Sequence, residues 1–198
     1  MSGTSQGPNT DSLASSQVVG TAKTSRKAQV ARLLGRRSWA EDGRCDVPAN
    51  LMLVNFWFQR VLRINGKCSY PVHFTSTVVS PEKLLVGRGV ARYLATSGSL
   101  YVQAMNGVQI GDGTIIAPGV KIVSANHDTE ALGRWVDCGP VIVGERCWLG
   151  ASCVLLPGVR VGDRSIIGAG AVVTSDVPAD HVALGVPARC RPRSGLSA

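Results

Sequence analysis

The sequence predicts an all-β domain that folds as a parallel β-helix. The prediction rests on aliphatic side chains that recur every six residues and on small or β-branched side chains that follow each of them four residues later. A period of six fits neither an α-helix nor an alternating strand, which repeat every 3.6 and 2 residues. The composition agrees with this fold, because 23 glycines and only 5% aromatic residues indicate a turn-rich backbone around an aliphatic core.

The repeat is most regular in the C-terminal half. Every sixth residue is aliphatic at Val143, Leu149, Leu155, Val161, Ile167 and Val173. The companion positions hold Cys147, Cys153, Val159, Ser165, Ala171 and Val177. An earlier stretch, Ile110 to Ile122, keeps the same period, and continuing the step back to Val86 places Arg92 and Gly98 in the aliphatic register. Each unit forms a short strand and a turn, and three units close one triangular coil whose inward side chains stack on the next coil.

The repeat is interrupted between Ile122 and Val143, which lie 21 residues apart, three more than a coil of eighteen. We interpret this interval as a loop over residues 127–140, after which the chain re-enters the coil in a shifted register. Inserted loops on a rigid repeat scaffold often hold functional residues. His127 opens this loop and is therefore a candidate functional residue.

The chain divides into four predicted regions. These are a disordered basic tail over 1–49, an N-terminal helix over 50–70, the β-helix over 71–191 with its inserted loop at 127–140, and a C-terminal tail over 192–198.

The basic charge is concentrated at the N-terminal end. Residues 1–70 hold ten Lys and Arg against four Asp and Glu. The basic segment 23–44 shows no repeated interleaving of aromatic and basic residues and no recognised motif, so we expect a solvated tail and no nucleic-acid partner.

Residues 50–64 have a helical pattern in which Asn55, Gln59 and Arg63 form a polar stripe on an otherwise apolar surface. Two interpretations stay open. The helix packs against the main domain, or it lies at a membrane surface, where Trp57 and the basic residues Arg60, Arg63 and Lys67 contact anionic lipid. The apolar run is too short to span a bilayer, which needs about 20 residues.

The six cysteines include no CxxC pair, and no signal peptide begins the sequence. We therefore expect reduced thiols and a cytoplasmic protein that associates with membranes, if at all, through its N-terminal segment. The three histidines are separated by 54 residues each way, so the sequence predicts no metal site.

Four stretches resemble the hexapeptide-repeat acyltransferases, most closely the polysaccharide and sugar O-acetyltransferases. They are RVLRINGKCSYPVHFTSTVVSPEKLLVGRGV (60–90), YVQAMNGVQIGDGTIIAPGVKIVSANHD (101–128), VIVGERCWLGASCVLLPGVRVGDRSIIGAGAVVTSDVP (141–178) and GVPAR (185–189). The resemblance covers about 60 to 191. It implies a left-handed parallel β-helix, a homotrimer, and acetyl-CoA as co-substrate in a groove between neighbouring coils.

The resemblance also implies roles for individual residues. His127 matches the catalytic base of the family. The positions that match coenzyme-binding residues are Trp148, Gly150, Ala151, Thr174, Ser175 and Arg189. Many relatives have lysine in place of Ser175, so phosphate binding at that position differs. Relatives that act on galactosides or maltose have an acidic residue near position 105, where this chain has Met105 and Asn106, so the resemblance does not identify the acceptor. Gln103 and Asn106 are the predicted acceptor-binding residues.

The predicted function is acetyl-CoA-dependent transfer of an acetyl group to a hydroxyl of a sugar or a polysaccharide precursor, with His127 as general base. A neutral imidazole suits this task, because an alcohol must lose its proton as it attacks. We expect direct transfer, since no Ser or Cys nucleophile motif accompanies His127. Two alternatives stay open: N-acetylation of an amino sugar, and a non-catalytic β-helix that serves as an assembly scaffold.

Overall fold

The computed structural model describes residues 47–195. The predicted tail over 1–49 therefore lies outside the described residues except for its last three positions. Residues 196–198 of the predicted C-terminal tail lie outside them as well.

The described chain consists of short strands with two helices near its beginning. Helix α1 is Ala49–Phe56, a π-helical turn follows at Trp57–Val61, helix α2 is Ala91–Thr96, and 3₁₀ turns lie at Pro81–Lys83 and Arg193–Gly195. The strands are β1 Thr77–Val79, β2 Leu84–Val86, β3 Tyr101–Gln103, β4 Val108–Ile110, β5 Ile115–Ile116, β6 Lys121–Val123, β7 Ala125–His127, β8 Trp135–Asp137, β9 Val141–Val143, β10 Trp148–Leu149, β11 Val154–Leu155, β12 Arg160–Val161, β13 Ile166–Ile167, β14 Val172–Val173, β15 His181–Leu184 and β16 Arg189–Pro192.

Three sheets form the faces of a left-handed parallel β-helix, as the sequence predicts. The first face has the order β1-β3-β6-β11-β14, and the second has the order β2-β4-β9-β12. The third face contains β5, β10, β13 and β15, and the antiparallel strand β16 closes its edge. Each coil visits the three faces in turn, so consecutive strands of the sequence lie on different faces.

Columns of aliphatic side chains fill the interior. On the first face, parallel pairing aligns Val78, Val102, Ile122, Leu155 and Val173. All six aliphatic positions of the C-terminal repeat are buried, with at most 2% of each side chain exposed. Their six companion positions are buried too. The inward register predicted from Val143 onward is therefore confirmed.

The predicted register fails at Arg92 and Gly98, although Val86 pairs in register with Ile110. Helix α2 takes the place of a strand on the third side of the first coil, so the six-residue step does not apply there. Arg92 is exposed on this helix, whereas Leu94 and Ala95 are buried and fill the core. An α-helix directs inward side chains three to four residues apart, which explains the lost period.

The interrupted repeat keeps its register. Ile110 pairs with Val143 on the second face, and these residues are 33 positions apart, which is one coil of 18 plus an insertion of 15. The predicted shift of register after the loop was therefore wrong. It compared the interval from Ile122 to Val143 with one full coil, but Ile122 lies on the first face and Val143 on the second. The insertion lies at the corner between the first and second faces of the third coil.

Helix α1 and the π-helical turn pack against the domain through Asn55 and Gln59, not through their apolar surface. Arg63, the third residue of the predicted polar stripe, lies beyond the turn and is exposed. Asn55 and Gln59 are buried, whereas Leu53 is 70% exposed. The Asn55 Nδ2 donates to the Ala95 carbonyl at 2.9 Å, and its Oδ1 accepts from the Phe74 N–H at 3.0 Å. Polar side chains can be buried at modest cost when their hydrogen bonds are satisfied in this way.

Gln59 satisfies three backbone groups of the segment after the helix. Its Nε2 donates to the carbonyls of Cys68 and Tyr70 at 3.1 and 2.8 Å, and its Oε1 accepts from the Val72 N–H at 3.2 Å. These bonds fix the path of the chain from α1 to β1.

Replacing Gln59 by leucine is expected to lower the free energy of unfolding by about 3 kcal/mol, because buried backbone groups lose their partners while the side-chain volume changes little. Urea unfolding followed by circular dichroism measures this loss. The matched control is Leu53→Gln on the exposed side of α1, which we expect to change stability by less than about 0.5 kcal/mol. Equal effects of the two substitutions would contradict the inward orientation of the polar stripe.

Candidate functional site

The insertion in the third coil forms a β-hairpin. Strands β7 and β8 pair antiparallel, with Ala125 opposite Asp137 and His127 opposite Trp135. The hairpin projects from the corner between the first and second faces, so the repeat supplies a rigid base for an exposed loop.

Two residues predicted to bind the acceptor hold the base of this hairpin. The Gln103 side chain is buried, and its Oε1 accepts from the Ala125 N–H at 3.1 Å. The Asn106 Nδ2 donates to the Val136 carbonyl at 3.0 Å, and its N–H donates to the Ser124 Oγ at 3.0 Å. Gln103 thus anchors β7 and Asn106 anchors β8. Acceptor binding by these residues stays a prediction.

The His127 ring is oriented by two neighbours in the hairpin. Its Nδ1 lies 2.5 Å from the Leu132 carbonyl oxygen. Because a carbonyl can only accept, Nδ1 holds the proton in this bond, and in the neutral ring Nε2 keeps its lone pair. The ring also packs against Trp135, with centroids 3.8 Å apart. His127 is exposed, so this lone pair belongs to an imidazole that solvent reaches.

Asp128 shapes the loop and does not hold the ring. Its Oδ1 accepts from the Glu130 N–H at 2.8 Å, and its Oδ2 forms an ion pair with Arg134 at 3.3 Å. The Leu132 carbonyl is therefore the group that orients His127. Sequence reasoning missed this carbonyl and Trp135, since a backbone contact across a turn leaves no residue-type signal.

A second group of predicted residues lies on or beside the third face. Trp148 points outward from β10, is 49% exposed, and has Ile115 and Ile166 as its neighbours across the sheet. Gly150 and Ala151 follow at the next corner. An exposed aromatic side chain on a sheet can pack against the apolar segment of an extended ligand.

The two corner amides differ. The Gly150 N–H donates to the Ile167 carbonyl at 2.8 Å within the stack of coils, and a Cβ at this position would lie 2.6 Å from the same oxygen. Gly150 therefore serves close packing of the coils. Ala151 is exposed, its carbonyl accepts from the Gly170 N–H at 2.8 Å, and no residue within 47–195 accepts a hydrogen bond from its N–H. Ala151 is the corner amide that can donate to a ligand.

The remaining predicted residues are exposed. Thr174 and Ser175 follow β14 at the corner between the first and second faces, two coils beyond the hairpin. Arg189 lies on β16 at the edge of the third face. The structure thus brings His127 and Thr174 to one corner and places Trp148 and Arg189 on the third face. That corner lies opposite the third face of a triangular coil, so one chain does not bring His127 and Trp148 together.

Burial makes two of the described cysteines poor nucleophiles. All five within residues 47–195 are free thiols. Burial raises the pKa of the Cys153 thiol to about 12, and burial also raises the pKa of the Cys147 thiol. Both side chains point into the core, where a protonated thiol packs as a small apolar group.

The C-terminal repeat matches a known family model. The family model described as the hexapeptide repeat of succinyl-transferase matches residues 140–175. Within the matched residues lie β9 to β14 and all six aliphatic positions of the C-terminal register.

Similar proteins include sugar acetyltransferases. The galactoside O-acetyltransferase of Escherichia coli K12 is 41% identical over 86 residues, which cover 41% of this chain and 42% of that protein. The candidate lipopolysaccharide biosynthesis O-acetyl transferase WbbJ of the same strain is 29% identical over 147 residues, covering 67% of this chain and 74% of that protein. The chain thus spans about two fifths of the length of the galactoside relative.

A solved structure shares the fold. The structure of AntD, an N-acyltransferase from Bacillus cereus in complex with dTDP and 3-hydroxybutyryl-CoA, has a TM-score of 0.51 and 15% sequence identity. The match covers 61% of this chain and 78% of that chain. At this identity the likeness concerns the fold alone.

Proposed function

We propose that the protein is an acetyl-CoA-dependent O-acetyltransferase that acts on a hydroxyl of a sugar or glycan. The observation that carries the proposal is the hydrogen bond from the His127 Nδ1 to the Leu132 carbonyl, because it leaves Nε2 as a proton acceptor on a loop built out from the β-helix. The similarity to galactoside and lipopolysaccharide O-acetyltransferases supports the choice of acceptor class.

His127 performs the proton transfers. Its Nε2 removes the proton from the acceptor hydroxyl as the oxygen attacks, and the Leu132 carbonyl then stabilises the positive charge of the ring through Nδ1–H. The packed Trp135 keeps the ring from rotating away. Nε2 then donates this proton to the sulfur of coenzyme A as the thioester bond breaks. No covalent intermediate with the protein is needed, because the base, the acceptor and the donor act in one complex.

The residues of the third face fit a coenzyme. Trp148 would cover the pantetheine arm, the Ala151 N–H would donate to one of its amide carbonyls, and Arg189 would pair with a phosphate. Thr174 and Ser175 lie at the corner opposite the third face, two coils beyond His127, so their hydroxyl groups would reach the coenzyme from the subunit that supplies His127. Acetyl-CoA supplies an activated thioester, whose thiolate is a good leaving group.

The proposal includes a homotrimer with its sites between subunits. In one chain the hairpin with His127 lies opposite the third face with Trp148. A neighbouring copy related by rotation can place its third face against this corner, which completes the site. The exposed Trp148 and Ile115 give that contact an apolar component.

The test is an assay of the full chain with acetyl-CoA and a panel of galactosides, glucosides, amino sugars and oligosaccharides, in which free thiol release reports transfer. We expect thiol release that depends on a sugar hydroxyl, with an acetyl ester found by mass spectrometry. Transfer to amino groups alone would show that the enzyme is an N-acetyltransferase. Failure to bind coenzyme A would contradict catalysis and favour a structural scaffold.

A further inference from the structure

Helix α1 and the turn after it present a continuous apolar surface to solvent. This outer apolar face consists of six large side chains that are between 38% and 70% exposed: Leu53, Val54, Phe56, Trp57, Val61 and Leu62. A shallow groove lined only by apolar residues, Leu53, Val54, Trp57 and Phe58, runs across it. Contiguous apolar surface of this kind usually marks an interaction site on a soluble domain.

The orientation of the helix is built into the fold. Asn55 and Gln59 lie on the side opposite the outer apolar face, and both are buried and bonded to backbone groups. Turning the apolar side chains inward would remove those bonds and leave the carbonyls of Tyr70 and Ala95 without partners. The protein therefore holds the apolar face outward, at the N-terminal end of the β-helix.

The charges around the face are of one sign. Arg60, Arg63 and Lys67 are all exposed beside it. No Asp or Glu occurs from residue 47 to residue 81. Aromatic and aliphatic side chains rimmed by cations are the composition of helices that lie in the interface of an anionic bilayer.

We propose that the outer apolar face binds the surface of an anionic phospholipid bilayer. Leu53, Phe56 and Trp57 enter the boundary between headgroups and acyl chains, while Arg60 and Lys67 contact lipid phosphates. Among residues 47–195, no helix has the length and hydropathy of a membrane span. A second copy of the chain fits less well, because its own basic residues would meet those of the first copy.

The test is co-sedimentation of the full chain with vesicles of phosphatidylcholine alone or with about 30% phosphatidylglycerol, which supplies the anionic charge. We expect binding to the anionic vesicles that weakens as salt is raised. The triple variant Leu53→Gln, Phe56→Gln, Trp57→Gln is expected to bind at least about 30-fold more weakly, because three apolar side chains no longer enter the bilayer. The matched control is Leu132→Gln, which changes a side chain that is 72% exposed but distant from the face.

A second variant, Arg60→Gln with Lys67→Gln, separates charge from apolar contact. It is expected to reduce binding to anionic vesicles by about 10- to 30-fold, at roughly 1 kcal/mol for each cation near the surface. All variants keep the basic segment 23–44, so differences between them report on the face alone. Thermal unfolding shows whether each variant is folded.

Three results would overturn the proposal. One is equal vesicle binding by the triple variant and the wild type. Another is binding that does not depend on anionic lipid. The third is a triple variant that changes the oligomeric state in sedimentation while vesicle binding stays the same, because the face would then be a contact between copies. None of these readouts uses acetyl transfer, so the outcome is independent of the proposed activity.

Discussion

Replacing His127 by alanine is expected to lower kcat for acetyl transfer by about 10²- to 10⁴-fold, the usual contribution of a positioned general base. The acceptor hydroxyl would then keep its proton until a water molecule removed it. The affinity for acetyl-CoA should stay close to that of the wild type, because Trp148 and Arg189 lie on the opposite side of the coil. Steady-state kinetics with the acceptor found by the panel assay measure both quantities.

Two comparisons make the result specific. His127→Asn should be similarly slow, since an amide can donate to the Leu132 carbonyl but cannot take up a proton. Asp128→Asn should lower kcat far less, because its carboxylate bonds to the loop and not to the ring. Near-normal kcat in the alanine variant would show that His127 is a loop residue. A large loss of thermal stability in that variant would indicate a structural role.

The inward side chains of the C-terminal coils could be predicted from the sequence because all of these coils have the same length. From Val143 to Val173 every coil has 18 residues, so a single aliphatic position every six residues predicts each inward side chain. The first coil does not follow this rule. There helix α2 fills the third side with Leu94 and Ala95, and a period of six cannot detect a helical turn between strands.

The orientation of helix α1 could not be predicted from its pattern. A helical period separates a polar stripe from an apolar surface, but it does not say which of them faces the domain. The usual expectation places the apolar side inward. Here the backbone carbonyls of Cys68, Tyr70 and Ala95 require donors, and Asn55 and Gln59 provide them. Those carbonyls become neighbours of the helix only after folding.

The candidate site was predictable in part. The break in the repeat singled out His127, since an insertion into a regular coil is visible as a lost period. The roles of its neighbours depend on contacts across the hairpin. Gln103 and Asn106 meet backbone atoms 22 and 30 residues away, and no spacing rule in the sequence links such positions. The separation of His127 from Trp148 also follows only from the order of strands in the three faces.

His127 and Trp148 lie on opposite sides of the coil within one chain. Trimers that combine a variant of each residue are therefore expected to recover activity. His127→Ala lacks the base, and Trp148→Ala should lower kcat/KM for acetyl-CoA by about 10- to 100-fold, because the coenzyme loses a large apolar contact. If each site takes His127 from one subunit and Trp148 from its neighbour, random trimers of an equal mixture restore both residues in about one quarter of the sites. At low acetyl-CoA the mixture should then be about 3- to 25-fold more active than Trp148→Ala alone, and more active still than His127→Ala alone.

The two variants are unfolded together and refolded as a mixture, and the rate is measured at an acetyl-CoA concentration below the wild-type KM. The matched control mixes His127→Ala with the double variant His127→Ala, Trp148→Ala, which offers no intact base at any site and should show no recovery. If both residues served one site within a single chain, no trimer of the first mixture could contain an intact site. Absence of recovery, with native mass spectrometry showing that mixed trimers had formed, would contradict a site between subunits.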